Sequence, residues 1–175
     1  MTTWEITGTL APEKCTEGET SMEQLDALQT CYRNYLDETK TLTQNKKLFD
    51  GVLGFGHDPR KAPCHEKFYQ DVSAEVERLK GAEISADDAA EALRFMIRFP
   101  QENKDNQSAY YMMIAAHGPA AGLVPALTKE AAAELAALYD HEFPKRSRLP
   151  VQEKLMIQLR KAGGVEGKRG WFRRG

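Results

Sequence analysis

The spacing of apolar side chains constrains this chain most. Leu25, Leu28, Tyr32, Tyr35, Thr39 and Leu42 follow one another at alternating steps of three and four, which places them on one stripe of an amphipathic helix. Glu23 and Gln24 each stand three residues beyond a hydroxyl, Thr20 or Ser21. Both registers of a capping box are therefore available at the helix start. The stripe predicts a long helix running towards residue 47 with one face on a bundle seam.

The same period recurs between proline and glycine breaks. Pro63 suits the first turn of a second helix, with Phe68, Val72, Val76 and Leu79 on its apolar face and Gly81 at its end. Ser85, followed by Asp87 and Asp88, caps a third, which buries Leu93, Met96, Ile97 and Phe99 and is expected to stop at Pro100. After the polar loop 101–108 the run AYYMMIAA is apolar on every side. It reads as a short central helix ending at Gly118-Pro119, and a buried strand fits the same residues.

Thr128 opens a fifth helix rich in strong helix formers, with Ala132, Leu135, Leu138 and Tyr139 inward and Pro144 closing it. Pro150 opens a sixth, with Val151, Leu155, Met156 and Leu159 on one face and Arg160 and Lys161 at its C-terminal dipole. His117 and His141 fall in the last turns of helices, where a protonated imidazole suits the dipole. Trp4 to Thr7 alternates and admits a short extended segment.

The expected fold is all-α, a compact single-domain bundle of about six helices. An N-terminal arm (1–20) precedes the helical domain (21–162), and a basic, glycine- and aromatic-rich tail (163–175), expected to be flexible, follows it. A chain of 175 residues with 41% hydrophobic and 29% charged residues suits one soluble domain.

Charge is unevenly shared. Net charge is −2, but from residue 160 onward six basic residues face Glu166 alone, a local +5, so residues 1–159 carry about −7. That balance argues against nucleic acid as a partner except through the tail, where Lys168, Arg169, Arg173 and Arg174 surround Trp171 and Phe172. The plainer reading of the tail is a solvated terminus. No basic-then-apolar leader and no window of about 18 apolar residues is visible, so a cytoplasmic chain without a transmembrane segment is expected. Cys15, Cys31 and Cys64 are odd in number and widely spaced, which favours thiols over a disulfide framework.

Reactive groups concentrate in residues 51–65, GVLGFGHDPRKAPCH. Its Gly51, Gly54 and Gly56 follow no strand, and no Gly-Lys-Ser/Thr is present, so the dinucleotide and P-loop fingerprints do not apply. Arg60 and Lys61, with Asp58 in the same loop, precede a helix N-terminus and form a candidate anion site. Cys64 in the first helical turn, with His57 or His65 as acid or base, is a candidate nucleophile. The plainer account makes Asp58-Pro59 a turn, the glycines a source of positive φ, and Cys64 a packed thiol.

No cofactor signature is found. Adjacent side chains on a helix diverge by about 100°, which keeps Cys64 and His65 from sharing an ion, and no H-x-x-x-H, C-x-x-C or E-x-x-H pair occurs, so no metal site is expected. Two functional classes remain. The first is a non-enzymatic helical interaction or regulatory module with a protein partner or self-association. The second is a thiol/histidine enzyme or anionic small-ligand binder centred on residues 51–65.

Overall fold

The computed structural model describes residues 21–44 and 62–165. Among them the chain is all helical. Its elements are α1 (Ser21–Gln44), α2 (Ala62–Gly81), α3 (Ala86–Glu102), α4 (Gln107–Ala115), the single turn α5 (His117–Ala120), a 3₁₀ segment (Ala121–Ala126), α6 (Lys129–Glu142), a 3₁₀ turn (Lys145–Ser147) and α7 (Pro150–Ala162). The N-terminal arm and nearly all of the tail lie outside the described residues. No described helix is long and apolar enough to cross a membrane.

The α1 stripe packs as its spacing requires. Leu28, Tyr32, Tyr35, Leu36 and Thr39 are buried, and they meet Phe68, Val72, Val76 and Leu79 of α2. The two helices run antiparallel, because Tyr35 reaches back to His65 while Cys31 lies against Lys67, Asp71 and Glu75. Aromatic rings fill the seam. Phe68 stacks on Tyr35 at 4.2 Å and takes Tyr32 edge-on at 5.0 Å, and Phe95 and Phe99 of α3 close the other side of Tyr32 at 5.2 and 5.7 Å. Edge-on and offset pairs of this kind add to simple area burial.

Side-chain caps set several boundaries. The Ser85 hydroxyl accepts from the Asp88 amide at the start of α3, and Thr128 does the same for Ala131 at the start of α6. Asn106 caps α4 by accepting from the Ala109 amide, and its own NH₂ donates to the Thr39 hydroxyl at 3.1 Å, which fastens the start of α4 to α1. The run AYYMMIAA is thus a helix and not a strand.

Two sequence expectations need correction. Pro100 does not end α3, which continues to Glu102 with Pro100 inside it. A proline in the last turn costs one intrahelical bond rather than a run of them, and the amide it withholds is the normal partner of the Met96 carbonyl. Nor does the central helix reach Gly118-Pro119: α4 ends at Ala115, and the chain turns through α5 and the 3₁₀ segment before Thr128.

The C-terminal half is built on α6, which packs against both α3 and α7. Gly163, just past α7, lies so close to α6 that a Cβ would stand 2.7 Å from the Ala133 backbone nitrogen. Arg148, whose side chain is 1% exposed, donates to the Phe143 carbonyl and pairs with Asp140 and Glu153, while Arg160 of α7 reaches the other Asp140 oxygen at 2.7 Å. Burial alone would raise the Asp140 carboxyl, but the hydrogen bonds from Arg148 and Arg160 outweigh it and hold that group below its usual range.

Candidate functional site

Of the residues singled out in 51–65, Cys64 and His65 lie within the described part of the chain, in the first turns of α2. His57, Asp58, Arg60 and Lys61 fall outside it, as do Cys15, Lys168, Arg169, Trp171, Arg173 and Arg174. Cys64 is 5% exposed and packs under α1. His65, half-buried, has Nδ1 2.6 Å from the Tyr35 hydroxyl, with the two rings at a steep angle.

A groove of about 80 Å³ runs beside them between α1 and α2, lined by Cys31, Asn34, Glu38, Cys64, Lys67 and Asp71 among others. This suits a few waters or one small polar group, well below the several hundred Å³ of an ordinary ligand pocket. The two cysteines do not converge in it. Cys64 lies by Tyr35 whereas Cys31 lies over Lys67, Asp71 and Glu75, a displacement along α1 of about one turn, ~6 Å. Burial, and after it the charges of Asp71 and Glu75, push the Cys31 thiol up from 9.0, so it stays protonated at neutral pH. Among the described residues no group of three His, Cys, Asp or Glu side chains is placed to hold a metal ion.

A second, open groove of about 400 Å³ is bordered by Arg98, Gln101, Glu102, Lys104 and Glu142. It carries both signs of charge. Gln101 is already committed there, donating to the Glu142 carbonyl at 3.0 Å and to the Tyr110 hydroxyl.

A buried polar cluster lies inside the fold, and the sequence reading missed it. His117 is fully buried in α5. Its Nε2 is 3.0 Å from the Met96 carbonyl and its Nδ1 2.8 Å from the Tyr139 hydroxyl. A carbonyl only accepts, so Nε2 carries the proton and Nδ1 accepts from Tyr139. The Gln152 side chain lies near Tyr139, and its Oε1 takes the Leu149 amide at 2.8 Å.

Two directed hydrogen bonds therefore run from α6 to α3: the Tyr139 hydroxyl donates to His117, and His117 donates to the Met96 carbonyl. The last link exists because Pro100 has no amide for the Met96 carbonyl. Burial lowers the His117 pKa from 6.5 to about 4, against a smaller opposite pull from that carbonyl, so the ring is neutral. A protonated imidazole at a helix dipole is thus the wrong description of His117. His141 stands exposed in the last turn of α6, with Nδ1 3.4 Å from Glu142.

The signal that would have found the His117 contact was present in principle: a proline four residues beyond Met96 announces an orphaned carbonyl. Which donor fills it is decided by tertiary packing.

No protein-family model, curated protein or solved structure matches this chain.

Proposed function

We propose that this chain is a non-enzymatic helical module that acts by binding another protein. The observation that carries this reading is the contrast between its reactive and its apolar side chains. Cys64 is packed under α1, His65 is engaged by Tyr35, and His117 and Arg148 are spent on internal contacts. Tyr111 of α4 and Ile157 of α7 instead stand 59% exposed, with Tyr69 of α2 at 40%. Large apolar groups held outward on rigid helices are the usual anchors of a protein interface.

Photo-crosslinkable residues at Tyr111 and at Ile157, with Arg33 on the polar face of α1 as control, test it in cells that make the protein. A discrete adduct with another protein, or with a second copy, from either apolar position and none from position 33 is expected. Equal labelling at all three positions, or none, refutes the reading. The thiol/histidine alternative draws on the neighbouring Cys64, His65 and Tyr35, and the burial of Cys64 weighs against it.

A further inference from the structure

We propose that the outward face of α7, with the turn that precedes it, docks on an anionic lipid surface. The basic part of the chain begins well before residue 160. Residues 145–165 hold six basic side chains and one acid, so that residues 145–175 carry +8 and residues 1–144 carry −10. The fold divides these cations into two groups. Arg148 and Arg160 pair with Asp140 and Glu153 and fasten α7 to α6. Lys145, Arg146, Lys154 and Lys161 are exposed and form no ion pair among the described residues.

Apolar side chains stand among these four. Pro150, Lys154, Ile157 and Lys161 recur at steps of four, three and four, and each is exposed, so they make one outward stripe of α7. Leu155, Met156 and Leu159 hold the opposite side in the core. Leu149 is exposed where the stripe starts and Val165 where it ends. Val165 is fixed there: its amide donates to the Arg160 carbonyl at 2.9 Å and the Gly164 amide to the Lys161 carbonyl at 3.2 Å, with Gly164 at φ 65°, which closes the helix through a left-handed glycine. Lys129 of α6 lies against Gly164 and adds an exposed cation at the same end. Because Lys129 and Ala133 face the end of α7, the neighbouring Glu130 and Glu134 are turned about 100° away around α6.

Aliphatic groups flanked by lysines on a rigid helix match the headgroup boundary of a bilayer. Lysine stems lie along the apolar margin while their ammonium groups reach phosphate, and an isoleucine between them enters the acyl layer. Two other polyanions match less well. Single-stranded nucleic acid is held by stacking on aromatic rings, and Leu149, Ile157 and Val165 have no π face. Carboxylates of an acidic protein are gripped best by guanidinium forks, and Arg148 and Arg160 are already spent on Asp140. With the inner side of α7 in the core, attachment is peripheral. The sequence continues past Val165 with Lys168, Arg169, Trp171, Phe172, Arg173 and Arg174, residue types of the same interfacial kind. This goes beyond the protein-binding reading, which Tyr69 and Tyr111 carry from other helices.

Co-sedimentation of the full chain with vesicles tests it. Binding is expected to an equal mixture of phosphatidylcholine and phosphatidylserine, not to phosphatidylcholine alone, and weakens as salt rises. Each cation near such a surface adds roughly fivefold to partitioning. Lys154→Gln with Lys161→Gln should therefore weaken binding about 25-fold, and Ile157→Ser alone about tenfold. Arg33→Gln with Lys104→Gln removes the same charge from α1 and from the turn between α3 and α4, and should change binding less than about twofold.

Absence of binding to the mixed vesicles would overturn the proposal. So would equal losses in the two double variants, no loss in the α7 pair, or an Ile157→Ser chain that binds unchanged. Tighter binding to a single-stranded RNA of mixed sequence, with the same dependence on Lys154 and Lys161, would make the face a nucleic-acid site instead. If vesicles are not bound and a photo-crosslinker at position 157 captures a protein, the face belongs to that partner and the protein-binding reading stands alone.

Discussion

Tyr32 offers a sharp test of how the α1–α2–α3 seam is held. Its ring is fully buried among Phe68, Phe95 and Phe99, yet its hydroxyl has no hydrogen-bond partner among the described residues. Burial pushes its phenol well above the usual range, so the hydroxyl stays neutral. Tyr32→Phe removes only that oxygen and keeps every ring contact. A buried unpaired hydroxyl costs about 1–3 kcal/mol. The space vacated is roughly 10 Å³, which at about 24 cal/mol per Å³ costs ~0.3 kcal/mol. The variant is therefore expected to be more stable by about 1–2 kcal/mol, or roughly 2–6 °C in Tm for a chain of this size. Urea titration followed by circular dichroism measures the first and calorimetry the second. Tyr32→Ala, which removes the ring as well, should lose about 3–5 kcal/mol. If Tyr32→Phe is instead destabilised by more than about 0.5 kcal/mol, beyond the ~0.3 kcal/mol allowed for the void, the hydroxyl has a partner in solution and the argument fails.

Two further outcomes follow from geometry already described. Gly163→Ala drives a Cβ into the Ala133 backbone, and since backbone cannot step aside, α6 and α7 must separate; a loss of about 1–3 kcal/mol in chemical denaturation is expected, and an unchanged midpoint would show that this approach is looser than described. Cys31, although half-exposed, should react slowly with iodoacetamide at pH 7 because its thiol is held protonated, and Cys64 should react only on unfolding. Rapid modification of native Cys64, read by mass spectrometry of its peptide, would move the balance to the thiol-based reading of residues 51–65.

Much of the architecture was legible because it depends on local chemistry. The three-and-four spacing from Leu28 to Thr39 needs only helical geometry to become a buried stripe, and Ser85 and Thr128 cap helices because their hydroxyls reach amides three residues on. Pro100 misled for an equally local reason. Proline is a strong breaker in a helix interior, but near a C-terminus it forfeits one bond and the turn survives. The ring of His117 could not be placed from its neighbours in sequence, since its partners come from α3 and α6 and its neutrality from burial among them. Of the candidate site, Cys64 and His65 can be described, and the contact that defines His65 comes from Tyr35, thirty positions earlier in the chain.

The withheld amide at Pro100 also has a genetic meaning. Any residue other than proline at that position brings back an N–H that must share the Met96 carbonyl, and its two lone pairs, with His117, so Pro100→Ala would restore a helix bond while crowding the imidazole contact. Each residue is tolerable because of the other. Substitutions at positions 100 and 117 are therefore expected to be epistatic, harmful one at a time and milder together, although neither side chain would be flagged by inspecting the other's surroundings.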